Sequence, residues 1–377
     1  MKRTIYADAA ATTRLAPEAL EAMTPWLMGE YGNASQSYSF SRGARRALSE
    51  SRETIARLVG AAPEEIIFTS GGTESDNWAL KGLYAPGDDG TTLTSSIEHH
   101  AVLNAARSLA RFGAKVGVVP VDGEGVATVD SLREASRGAR VKLVSVMTAN
   151  NEIGTLEPIE SLASYAHEIG ALFHTDAVQA FGHIPIDLHA LGVDMASASA
   201  HKFNGPKGIG FLYLRRGVEL PALLDGGAQE LSRRAGTENV AGIVGMATAL
   251  AFNVANMSEN MRRLQRLESI FVEALDAQGL DYRRNGAARR LPGSVSISIR
   301  GAHGEALQHL LDLKGIYLST GSECDSVNTQ ISHVIRAIGV PPEYAEGTLR
   351  VSFGHDNTEE EAVVIAQEIA KVVRKTL

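Results

Sequence analysis

The chain has 377 residues, 44% hydrophobic and 21% charged, with a formal net charge of −8 and one cysteine. That is a globular composition, long enough for two domains or one large and one small. The acidic balance argues against nucleic-acid binding, which needs clustered Lys and Arg, and a lone cysteine excludes an internal disulfide framework and fits a reducing, cytoplasmic setting.

Asp8 interrupts the apolar stretch that a signal peptide would need, and the small-apolar run from Ala241 to Phe252 is too short to span a bilayer, so neither a leader nor a membrane segment is expected. Ala44, Leu48, Ile55, Leu58 and Val59 then recur at helical spacing until Gly60. EIIFTS reads as a buried strand, GGTESDNWALKG as a turn and helix start, TTLTSS as a strand, and Ala101 to Phe112 as a helix. VGVVPV and VKLVSVMT are strand-length runs, Pro158 opens a helix that Gly170 closes, and ALFHTDA, DMASASA and GFLYLRR are further strands. Strands alternating with helices predict an α/β domain with a largely parallel, two-sided sheet.

The pattern changes near residue 258. Met261, Leu264, Leu267, Phe271 and Leu275 mark a long amphipathic helix ending at Gly279, and the basic cluster Arg283 to Arg290 reads as a solvated turn. Val295, Ile297 and Ile299 alternate with serines, as in a half-buried strand; Leu349, Val351 and Phe353 repeat that spacing, and Thr358 with Glu361 forms a capping box. The expected division is a large domain over 14–258 and a smaller α+β domain made of 1–13 and 259–377.

Five features carry chemistry. His201 and Lys202 follow a strand, at the edge where open α/β sheets bind ligands. A desolvated lysine there suits Schiff-base chemistry, whereas Lys207 suits a rigid turn. Asp176 closes an apolar strand, and the residues alone leave open whether it meets a pyridinium nitrogen or caps a helix starting at Ala177. Gly71, Gly72 and Thr73 offer backbone N–H groups and a hydroxyl to an anion at a helix start, although a merely capped helix fits as well. His99, after a strand, suits ring stacking or proton transfer, and the absence of HExxH or CxxC spacing argues against a metal. Arg350 projects opposite the apolar residues of its strand, where spacing alone favours a surface residue over carboxylate binding. Together these features suggest a pyridoxal phosphate site for an amino acid. Cys324, among Gly, Ser, Glu, Asp and Asn, reads as an exposed and reactive thiol.

TSGGTESDN, EHHAVL, NNEIG, HTDAVQ, AHKFNGPKGIG, RRAGTENV and STGSEC occur in that order between YADAAATT and LRVSFG. In this the chain resembles the cysteine desulfurases of the NifS/IscS group, pyridoxal-phosphate enzymes of the aspartate-aminotransferase fold (type I). The resemblance implies Lys202 as the cofactor lysine, Asp176 as partner of the ring nitrogen, Gln179 near the ring hydroxyl and His99 as the stacking acid/base. It implies Gly72, Thr73, Ser199 and His201 at the phosphate, joined by Thr237 from a second subunit, hence a homodimer with a shared active site. Asn151 and Arg350 would hold the L-cysteine carboxylate, and Cys324 would take the sulfur and pass it to an acceptor such as an iron–sulfur scaffold or a thiolation enzyme. Two departures from the family pattern stand out: Glu323 replaces the usual alanine before the cysteine, with Asp325 after it, and GNASQSYSF lacks the usual proline and histidine. The flanking carboxylates are expected to raise the thiol pKa unless solvated or paired. Competing readings are a selenocysteine or cysteine lyase of the same fold, a thiol hydrolase built on Cys324 and a histidine, and a weakly active sulfur-transfer scaffold.

Overall fold

Strand-length apolar runs, each followed by a helix, assemble into one sheet in a computed structural model that describes residues 4–321 and 331–376. The strands in chain order are β1 Ile5–Tyr6, β2 Ile66–Thr69, β3 Thr91–Ser95, β4 Lys115–Val119, β5 Val141–Ser145, β6 Leu172–Asp176, β7 Met195–Ser199, β8 Gly210–Leu214, β9 Tyr282–Asn285, β10 Ser294–Ile299, β11 Ile316–Tyr317 and β12 Thr348–Ser352. The main sheet runs β2-β8-β7-β6-β5-β3-β4. Only β8 is reversed, pairing antiparallel with β2 and β7, while the other neighbours are parallel. The carboxyl ends of six strands therefore share one edge, and helices cover both faces, which is why these strands read as continuous apolar runs.

The helix Val240–Ala255 packs against Pro17–Met28 and Arg42–Val59. Its Gly245 permits this, since a Cβ there would lie 2.5 Å from Met23 Sδ. Among the described residues no single helix is long and apolar enough to cross a membrane.

A second apolar cluster surrounds the antiparallel sheet β12-β10-β9 and joins Ile5 and Ala7 to Leu264, Phe271, Ile297, Val351 and Ile365. The predicted capping box is present: Thr358 N donates to Glu361 Oε2 and Glu361 N to Thr358 Oγ1. Two expectations are corrected. β10 is buried on both faces, because Ser296 and Ser298 accept from Asn285 Nδ2 and Ser298 Oγ bonds Thr348 Oγ1, so the serines face polar partners rather than water. The Arg283–Arg290 cluster is not simply a turn: Arg283 and Arg284 lie on β9, the edge strand beside β10.

Candidate active site

Five of the six strands that share this edge, all but β4, lead into a cavity of about 260 Å³, lined among others by Gly72, Thr73, His99, Asn151, Asp176, Gln179, Ser199, His201 and Lys202, with Arg350 added from β12. These residues come from loops far apart in sequence because the parallel strands end together. A more open cavity adjoins it at Gly72, Thr73, Ser199 and His201, and adds Thr12, Lys207 and Gly208.

Asp176 ends β6 with its side chain 5% exposed, and Val178 N donates to its Oδ1 at 2.9 Å. No helix starts at Ala177, so Asp176 closes a turn instead of capping a helix, and the rest of its carboxylate faces the cavity. Burial pushes this carboxyl above the usual range, against the pull of His99, the Val178 N–H and Lys202. His99 caps the helix His100–Ser108 by accepting from Ala101 N at Nδ1, which leaves the proton of the neutral ring on Nε2.

Lys202 lies in a short helical turn after β7, and its Nζ donates to Ala10 O and Ala11 O at 2.7 Å. Gln179 Nε2 donates to the same Ala10 O at 2.9 Å. His201 Nδ1 pairs with Thr12 Oγ1 at 3.0 Å, and burial, aided by Lys202 and Lys207, lowers its pKa to about 4. His201 is thus neutral at pH 7.

At the other end, Gly71 precedes the helix Gly72–Lys81 without any side-chain cap. A Cβ on Gly72 would meet Val178 Cγ2 at 2.6 Å, so only glycine lets this helix start sit against the Asp176 turn. Beside it, Arg234 is held by Glu74 at 2.9 Å.

Arg350 is the main correction to the sequence reading. It is 2% exposed rather than on the surface, because its strand is covered on both faces. Its Nη1 donates to Asn151 O at 2.9 Å and its Nη2 to Asp8 Oδ1 at 2.7 Å. Thr237 does not line the cavity; it is exposed, beyond a segment in which Glu230, Leu231 and Ser232 all adopt positive φ (46°, 58° and 64°). Such strain persists only where surroundings enforce it. Here Arg52 grips the buried Glu230 carboxylate, which also accepts from Phe68 N. Cys324, with Glu323 and Asp325, lies outside the described residues.

Residue reading missed Asp8, Asp76, Glu98 and Glu152. Asp76 and Glu98 line the cavity and are fully buried, and Asp76 Oδ1 and Glu98 Oε2 have no hydrogen-bond partner among the described residues. Burial holds both carboxyls well above their usual range, and Asp176 pushes each further. One signal was available: Asp76 falls four residues after Gly72, one turn along the same helix face.

The donor set fits an elongated group with a basic ring nitrogen at one end and a phosphate at the other, with a lysine amine between. The orphaned Asp76 and Glu98 oxygens and the glycine cradle suit a bound polar aromatic group better than an apolar ligand.

The family described as aminotransferase class-V matches residues 5–364. The chain is 45% identical to the cysteine desulfurase IscS of Dictyoglomus turgidum, covering 100% of this chain and 96% of that one. A solved NifS-like protein superposes with a TM-score of 0.92 at 38% identity, covering 99% and 100% of the two chains. SspA in complex with cysteine superposes with a TM-score of 0.83 at 35% identity over 93% and 99%.

Proposed function

The chain belongs to the class-V aminotransferase family and, within it, to the cysteine desulfurases, and from that premise we propose how its residues take sulfur from L-cysteine. The observation that carries the assignment is one cavity holding a strand-terminal carboxylate, a lysine and an uncapped helix start together.

Pyridoxal 5′-phosphate, when bound, supplies the electron sink that makes the substrate α-proton removable. Lys202 would hold it covalently, Asp176 at the ring nitrogen, Gln179 at the ring hydroxyl and His99 across the ring face. Gly72, Thr73, Ser199 and His201 would hold the phosphate, with Thr237 supplied by the partner subunit of a homodimer. His201, neutral at pH 7 before any phosphate is bound, can offer it an N–H.

Arg350 and Asn151 bind the substrate carboxylate, so that the α-proton faces Lys202. Lys202 Nζ, released once the substrate amine takes its place, moves that proton, and His99 Nε2 handles the proton of the thiol. Cys324 thiolate attacks the substrate sulfur: an S–S bond forms, the C–S bond breaks, and its electron pair stays with carbon. That carbon takes up a proton and leaves as L-alanine, while Cys324 keeps the sulfur as a persulfide for an acceptor protein, an iron–sulfur scaffold or a thiolation enzyme. Persulfide chemistry needs reduced thiols, which supports a cytoplasmic setting. We read residues 14–258 as the large domain and 1–13 with 259–377 as the small one that carries the Cys324 segment.

The test is L-alanine release from L-cysteine with a reductant present, in wild type and Cys324→Ala. The variant is expected to keep the bound-cofactor absorbance and lose about a hundredfold or more of the release. Equal release from both would make Cys324 dispensable and the protein a cysteine lyase.

A further inference from the structure

The motif YADAAATT has no part in the chemistry above, yet it crosses the whole site. Ala10 and Ala11 carbonyls take Lys202 Nζ, Ala10 O takes Gln179, and Thr12 pairs with His201. At its start, Asp8 forms an isolated parallel bridge to Ser352 of β12. That places its carboxylate near Arg350, two residues earlier on the same face of β12. The two groups meet at 2.7 Å, with side chains 2% and 15% exposed.

We propose that Asp8 is a positioning residue for the substrate carboxylate, acting through Arg350. A buried guanidinium needs a counter-charge, and the hydrogen bond to Asn151 O supplies none. The charge-assisted bond that Nη2 donates to Asp8 supplies it and holds that edge of the plane, and bidentate carboxylate binding depends on the plane being aligned before the substrate arrives. Asp8 does not line the cavity, so it sets where Arg350 points without touching the reacting atoms.

This rests on the reading of Arg350 as the carboxylate-binding residue, and the experiment separates the two. Holoenzymes of wild type, Asp8→Ala, Asp8→Asn and Arg350→Lys are compared in KM and kcat for L-cysteine. Binding of L-alanine and of ethylamine, an amine without a carboxylate, is followed through the absorbance of the bound cofactor. Asp8→Ala is expected to raise KM and the L-alanine Kd about tenfold, with kcat within about twofold and ethylamine binding unchanged. Asp8→Asn, which keeps an acceptor but not the charge, shows the same pattern at about threefold and serves alone if the alanine variant does not fold. Unchanged KM in both Asp8 variants, or ethylamine binding that weakens in parallel, overturns the role. If Arg350→Lys also leaves KM unchanged, the reading of Arg350 itself falls; if it raises KM, only that of Asp8 does.

Discussion

Glu157 is 3% exposed, and burial, reinforced by Asp122 and opposed by the Ala127 N–H, pushes its pKa to about 8. Its ordinary value is 4.5, so the unfolded chain gives up this proton first as pH rises. Its favourable contribution is whole below about pH 4.5 and is lost progressively up to about 8. Glu157→Gln removes that slope. Urea unfolding at pH 5 and pH 8 should show wild type losing more stability than the variant, by on the order of 3 kcal/mol. His174 works in the opposite sense: fully buried between Ser145 and Ser197, its pKa falls from 6.5 to about 3, so its contribution is lost as pH drops through that range. The buried acids Glu98 and Glu157 were not legible as such, since their segments give no sign of convergence, and Asp76 had only its place one turn after Gly72. Lys202 and Asp176 were legible because Asp176 ends an apolar strand and Lys202 follows one closely, where a charge without a task is costly.

At the scale of elements, the close seating of the helix Gly72–Lys81 links fold to cofactor. Its first residue can approach the Asp176 turn only without a Cβ, because Val178 Cγ2 would lie 2.6 Å away. Gly72→Ala is therefore expected to push the helix start outward and lower cofactor content per chain, read from absorbance after dialysis. Val178→Ala in the same chain frees that space and should restore much of the content; no restoration would mean that the loss comes from backbone preference instead. The order of the main-sheet strands was readable from apolar periodicity up to residue 258, whereas the helices Pro17–Met28 and Val129–Ser136 were not picked out. Two features of the C-terminal part were not readable either. Alternating serines on β10 mimic a solvent face, although Asn285 and Thr348 satisfy them inside. Arg350 mimics a surface arginine by the same alternation, and its partly buried partner Asp8 is 342 residues away in sequence, a pairing that no local pattern encodes.

On the scale of the whole molecule, one stretch of chain carries a run of exposed apolar side chains. Leu20, Leu27, Met28, Tyr31, Tyr38 and Phe40 are all exposed, with Tyr31 and Phe40 rings edge to face at 5.2 Å. Gln229, which opens the strained turn before Thr237, donates to Ser35 in the same stretch. An apolar patch adjoining a rigidly projected loop is what a two-fold dimer with a shared site requires. If Thr237 completes the phosphate site of the other subunit, Lys202→Ala and Thr237→Asp each disable both sites of their own dimer. The first removes the amine, and the second sets a negative charge against the phosphate. Co-expression of the two variants with separate tags then tests the arrangement. Every mixed dimer pairs one site lacking both groups with one site lacking neither, since the intact Lys202 meets the intact Thr237. With random assembly half the dimers are mixed, and activity should return to about a quarter of wild type. Activity no greater than the mean of the two parents would place Thr237 in its own subunit's chemistry, or outside it altogether.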